Sequence, residues 1–145
     1  MKIILFVVLI IMFFYRIKYT LRDLNKKIWQ KEIKTENEKI KHEREKYSDY
    51  EWNILKLIFK TLIILLYILF ILIYVLVNIE LNSKCIFILS VLQIFTVLHN
   101  LKKTICTKDV MNFNLEYCKF DRFWNLFNVI LDYIYYPISI VMLLI

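Results

Sequence analysis

Long uncharged apolar runs alternate along this chain with segments dense in Lys and Glu. That blockiness predicts helices that cross a bilayer, separated by solvated connections. The first run, Ile3 to Tyr15 behind Lys2, has the outline of a signal sequence. Cleavage requires small residues after the apolar stretch, and Tyr15-Arg16-Ile17-Lys18-Tyr19 offers none, so a retained anchor is expected. At 1.5 Å per residue this run covers only about 20 Å. Ile17, Tyr19 and Leu21 lengthen it if Arg16 and Lys18 snorkel outward to water, which gives a first span of about 3–19. The second span is expected at about 57–79, its uncharged stretch Thr61 to Ile79 meeting the roughly 20 residues a bilayer demands. Glu80-Leu81-Asn82-Ser83-Lys84 reads as a tight polar turn, so a third span, about 85–101, should return antiparallel to the second. A mixed polar and aromatic loop of about 102–122, with room for an interfacial helix, leads to a fourth span at about 123–145.

Between the first two spans lies a charged segment of about 20–53. Its apolar positions form two stripes, Ile17, Leu21, Leu24 and Ile28, then Ile33, Ile40, Tyr47 and Ile54. The stripes are out of phase, which predicts a break between them. Asp23 with Lys27 and Lys39 with Glu43 are opposite charges four apart, a helix-supporting arrangement. Thr35 with Glu38, and Ser48 with Glu51, fit the capping-box pattern. Two short amphipathic helices or one long bent helix would satisfy the pattern, either as a solvated linker or as a docking face. The expected fold class is thus all-α, a single membrane domain of four spans with a charged helical segment between spans one and two.

Charge assigns the sides. Lys and Arg recur from Arg16 to Lys46 and again at Lys56 and Lys60, and the connection after span three adds Lys102, Lys103, Lys108, Lys119 and Arg122. The opposite side carries Lys2 and Lys84. The positive-inside rule places the basic connections 16–60 and 102–122 inside and both termini outside, in a bacterial or organellar inner membrane. Tyr50, Trp52, Phe123 and Trp124 fall at the expected inner interface, where aromatic anchors collect.

Composition sharpens this picture. The chain has 60% hydrophobic residues, no Gly and one Pro among 145 residues, and no Ala. Gly and Ala require G/C-rich codons, so the sequence points to an AT-rich genome, that of a low-GC bacterium or an organelle. Membrane helices usually approach closely through small residues, and transporters use Gly and Pro breaks. Their scarcity favours a stiff bundle whose seams are filled by bulky side chains. The net charge of +7 lies beside apolar spans, so anionic lipid headgroups, and not nucleic acid, are the expected partner.

A few polar residues stand inside the spans. Asp132 lies near the middle of the fourth, where insertion of an acid costs about 2.5–3.5 kcal/mol, so it should face protein or water. Asn125, Asn128, Asp132, Tyr135 and Ser139 are spaced three, four, three and four, within an arc of roughly 80° on a helix. Ser90, Gln93, Thr96 and Asn100 form a second polar stripe on the third span. The third and fourth spans run in opposite directions, which puts Gln93 and Asp132 at similar depth, and they are expected to face each other. The second span contributes Lys60, Tyr67, Tyr74 and Asn78 on one face. Pro137 removes a backbone bond to Tyr133, predicting a kink beyond Asp132. The seam reads either as interhelical hydrogen bonding in place of small-residue packing, or as an ion or proton pathway through Asp132 with no companion base in the bilayer.

No cofactor or metal site is expected. Cys85, Cys106, Cys118 and His99 lack zinc-site spacing, and without Gly there is no phosphate-binding loop. No nucleophile–base or paired-carboxylate pattern stands out, so the expectation is a non-enzymatic protein. The leading reading is a structural or accessory subunit of a larger membrane complex, with other membrane subunits as partners. A holin-like or toxin-like pore, or an immunity protein, is the alternative.

Overall fold

Helices α1 (Lys2–Leu24), α2 (Lys26–Arg44), α3 (Asp49–Leu81), α4 (Lys84–Cys106) and α5 (Arg122–Leu144) make up a computed structural model that describes residues 1–106 and 121–145. The described residues are all-α. Four of these helices, all but α2, are long and apolar enough to cross a membrane, with mean hydropathies of 2.1, 3.0, 1.6 and 1.6 in chain order. The protein is a helical multi-span membrane protein. The part of the expected 102–122 loop between residues 107 and 120, with Lys108, Cys118 and Lys119, lies outside the described residues.

Local sequence explains where the helices begin and end. The first span does not stop near Tyr19; α1 runs on through Arg16, Thr20 and Asp23 to Leu24. Asn25 then adopts an extended conformation, and its Oδ1 accepts from the backbone N–H of Lys27 at 3.0 Å and of Ile28 at 3.4 Å. That cap starts α2. The expected break between the two apolar stripes is therefore displaced to Asn25, and α2 continues unbroken through Thr35. Thr35 Oγ1 donates back to the Lys31 carbonyl at 3.0 Å, as a mid-helix threonine does, and does not cap a new helix. The expected Asp23/Lys27 and Lys39/Glu43 pairs are absent among the described residues. Asp23 turns to Arg16 and Arg22, and Glu43 accepts from Lys46 Nζ at 2.6 Å.

Ser48 opens α3 with the expected capping box. The Ser48 N–H donates to Glu51 Oε2 at 2.8 Å, and Ser48 Oγ accepts from the Glu51 N–H at 3.4 Å. Arg44 also pairs with Asp49 and packs over the Trp52 ring, with Cζ 5.6 Å from the centroid. Trp52 is buried beneath Arg44 and Tyr47. Ser48→Ala should fray this first turn, raising amide exchange at Glu51 and Trp52 about fivefold while leaving α4 and α5 unchanged. Equal exchange in both forms would mean that the packing over Trp52, not the cap, starts the helix.

With 33 residues, α3 is about 50 Å long, more than the roughly 30 Å hydrocarbon core. Its charged first turns must therefore stand outside. It ends at Asn82, which adopts the left-handed conformation at φ 42° that glycine usually supplies at a helix C-terminus. In a chain without Gly, Asn is the residue that reaches this conformation at least cost. Asn82 and Ser83 alone separate α3 from α4.

The spans form two tight antiparallel pairs, α1 on α5 and α3 on α4, joined through α4 and α5. Successive α1–α5 contacts run Asp23 with Asn125, Arg16 with Asp132 and Phe13 with Tyr136, so the two helices run in opposite directions and both termini lie at one end of the bundle. By contrast, α1 and α3 touch only sparsely. The half of the bundle nearest the termini has an apolar core of Leu5, Leu9, Val77, Ile86 and Leu143, of which Leu9, Val77 and Ile86 are fully buried. Helix α5 continues through Pro137 to Leu144.

Candidate functional site

Four helices bring their polar positions to a single level of the bundle. Arg16 is the centre. Its Nη1 lies 2.6 Å from Asp23 Oδ2, two turns further along the same face of α1, and its Nε lies 2.7 Å from Asp132 Oδ2 on α5. The second contact is a close ion pair whose N–H is not aligned as a hydrogen bond. Gln93 Nε2 on α4 donates to the other Asp132 oxygen, Oδ1, at 2.7 Å. One carboxylate thus ties α1, α4 and α5 together. Arg22 Nε donates to Asp23 Oδ1 at 3.0 Å, so Asp23 holds two guanidinium groups.

This arrangement corrects two expectations. Arg16 does not snorkel outward; its side chain is only 16% exposed and points into the bundle. Asp132 does have a companion base, and that base comes from the first helix. The reason is geometric. Arg16, Thr20 and Asp23 are spaced four and three, so they share the α1 face that packs on α5. Thr20 Oγ1 lies 3.2 Å from the Tyr133 hydroxyl, and Asn125 Nδ2 donates to the Asp23 carbonyl at 3.0 Å, which fixes the same register.

The expected seam residues divide into two groups. Asp132, Gln93, Asn125, Asn128, Thr96 and Asn100 line a polar cavity of about 330 Å³ that also reaches Trp29, Lys103 and Asp121 at the basic end of the bundle. Thr96 Oγ1 bonds to the Gln93 carbonyl of its own helix at 2.9 Å. Asn128 Oδ1 and Trp124 Nε1 are buried there with no hydrogen-bond partner among the described residues. A cavity this polar and this large can hold water that meets both. Toward the termini the second group begins. Ser90 Oγ donates to the Tyr135 hydroxyl at 3.4 Å, and Ser139 is fully buried with no well-formed hydrogen bond. Between the groups, the Tyr74 and Tyr136 hydroxyls meet at 3.0 Å, and the Tyr135 ring stands edge-on to Tyr74 at 5.2 Å. The tyrosine layer and the apolar core beyond it close the polar cavity at that end. From the second-span face, Tyr67 lines the cavity, while Lys60 Nζ donates to the Ile105 carbonyl at 2.8 Å.

Sequence reasoning missed Arg16, Asp23 and Tyr136. The α1 stripe and the four-residue step from Asp132 to Tyr136 were the available signals. The His99 ring packs at a tilt against Trp124 with centroids 4.5 Å apart, Cys85 and Cys106 are exposed thiols, and no cluster of metal-ligating side chains occurs among the described residues. Comparison with protein-family models, with curated proteins and with solved structures gave no match in any of the three.

Proposed function

We propose that the protein is a non-enzymatic structural or accessory subunit of a larger membrane assembly. One observation carries this reading: the charged groups inside the bundle are engaged with one another, and the tyrosine layer and apolar core seal them from the end that holds the termini. Such a cluster pins helices together and presents neither an open conduit nor an unengaged reactive group. The outer surface supports the same reading. In the most apolar window of each span, only 11% (α1), 17% (α3), 28% (α4) and 33% (α5) of residues are buried within the chain. Much bulky apolar surface is thus left for lipid or neighbouring subunits. Helix α2, largely exposed and rich in charge with Ile33 buried, is a second face for a partner. By the charge bias, α2 and the basic connections lie on the inner side and both termini on the outer side.

The test is extraction from the native membrane in mild detergent, native sizing, and mass spectrometry of what travels with the chain. A stoichiometric assembly much larger than the 17.9 kDa chain is expected. A lone or self-associated species would overturn the subunit reading and favour a pore-forming effector.

The polar cavity favours a second reading, a proton or cation pathway that uses Asp132. It would require passage beyond the Tyr74–Tyr136 contact. Flux in reconstituted vesicles that is abolished by Asp132→Asn would support it, and equal flux in both forms would exclude it.

A further inference from the structure

The sparse contact between α1 and α3 leaves an opening in the side of the bundle. A cleft of about 570 Å³ lies there, walled by Ile11, Met12 and Tyr15 of α1 and by Ile63, Leu66 and Phe70 of α3. Tyr74 and Tyr136 close its floor, and Arg16 and Asp132 stand at its inner edge. Ile11, Tyr15 and Leu66 are more than half exposed, so the cleft faces the membrane. The cause is in the sequence: with no Gly or Ala, neither helix offers the small surface on which two spans close up.

Size and chemistry select the occupant. A helix with its side chains is 10–12 Å wide and rises 5.4 Å per turn, so each turn fills roughly 400–600 Å³. The cleft has room for about one turn, and a membrane helix cannot lie in it. Its apolar walls do not hold a water column. A single narrow hydrocarbon chain satisfies both limits.

The end of the cleft nearer the basic connections adds a charge signal. The α1 face that carries Ile11 and Tyr15 continues through Lys18, Tyr19 and Arg22. The Tyr15 and Tyr19 rings pack at a tilt with centroids 4.5 Å apart, the Lys18 ammonium lies 5.3 Å from the Tyr19 centroid, and the Arg22 guanidinium lies 4.5 Å from it. Lys18 is in no ion pair among the described residues, whereas Arg22 also faces Asp23 at 3.0 Å and Glu32 at 3.9 Å. Two cations gathered on Tyr19, one turn beyond Tyr15 of the cleft wall, supply positive charge for an anionic headgroup.

We propose that the α1–α3 cleft binds one acyl chain of an anionic phospholipid from the leaflet on the basic side, with the lipid phosphate held by Lys18 and Arg22. The lipid fills the seam that the two helices leave open. The site stands whether or not the protein belongs to a larger assembly.

The test offers phosphatidylglycerol and phosphatidylcholine in equal amounts to the purified full chain in mixed micelles, and counts bound lipid by native mass spectrometry. One retained phospholipid is expected, with phosphatidylglycerol preferred. Each basic residue near an anionic headgroup contributes about fivefold, so Lys18→Gln with Arg22→Gln should lower that preference by at least about tenfold. Leu66→Trp should displace the lipid while helicity and monodispersity stay at the wild-type level. Ile11→Phe obstructs the opposite wall and should do the same if the Trp variant misfolds. Equal retention of the two lipids by the wild type, a preference unchanged in the charge variant, or undiminished lipid in a folded cleft variant would each overturn the proposal.

Discussion

Arg16→Met is expected to destabilise the bundle by about 3–5 kcal/mol, the usual cost of leaving one member of a buried ion pair alone. Adding Asp132→Asn should recover most of that loss. The two ends of the pair are not equivalent. Arg16 holds two carboxylates, Asp23 at 2.6 Å and Asp132 at 2.7 Å, while Asp132 has Arg16 as its guanidinium and Gln93 as a neutral donor. Removing Arg16 strands the carboxylate of Asp132, but Asp23 keeps Arg22 at 3.0 Å. Removing the charge of Asp132 leaves Arg16 paired with Asp23. Asp132→Asn alone should therefore be mild, since the amide keeps an acceptor for Gln93. Asp132→Leu should be worse than Asn, because it orphans the Gln93 donor at about 1–3 kcal/mol. Fraction folded against denaturant in micelles ranks the four variants. If Arg16→Met matches the wild type, or if the double variant is no better than Arg16→Met, the cluster does not hold the helices together.

The asymmetry of that pair also shows what a sequence displays and what it conceals. The spans of α3, α4 and α5 are legible because charges bound their apolar runs. The stripes on α4 and α5 are legible because polar residues at three- and four-residue spacing stand out against Leu and Ile. Four alternating spans run α4 and α5 in opposite directions, and from that the meeting of Gln93 with Asp132 at similar depth follows without coordinates. Arg16 was concealed by its position. An arginine at the end of an apolar run usually turns to water, and only the packing of the first helix on the last converts it into the partner of Asp132. No short-range spacing encodes that pairing of distant helices. A stripe of Arg16, Thr20 and Asp23 was present, but it lay where solvated charge is ordinary. Asn25 shows the same limit on a smaller scale. The stripe phases predicted a break, whereas the side-chain cap placed it.

Tyr135 separates packing from hydrogen bonding in the seam. Its side chain is fully buried, edge-on to Tyr74 at 5.2 Å and to Tyr136 at 5.6 Å, whereas the hydrogen bond its hydroxyl accepts from Ser90 is long, at 3.4 Å. Tyr135→Ala empties the space of a large ring among helices that cannot close up, and should cost about 3–5 kcal/mol. Tyr135→Phe keeps the ring and removes the hydroxyl. Interhelical hydrogen bonds in membranes contribute about 0.6 kcal/mol on average, and Ser90 can turn its own hydroxyl to a carbonyl of α4, so this change should cost less than about 1 kcal/mol. Ile138→Ala, three residues along α5 at a half-exposed position, exchanges one apolar surface for another against lipid and should cost little. The same denaturant series reads all three. A Phe variant as weak as the Ala variant would mean that the outer part of the seam is held by its hydroxyl contact. The expected wide gap between them would mean that bulky rings, in a chain without Gly or Ala, take the place that small-residue contacts occupy in other membrane bundles.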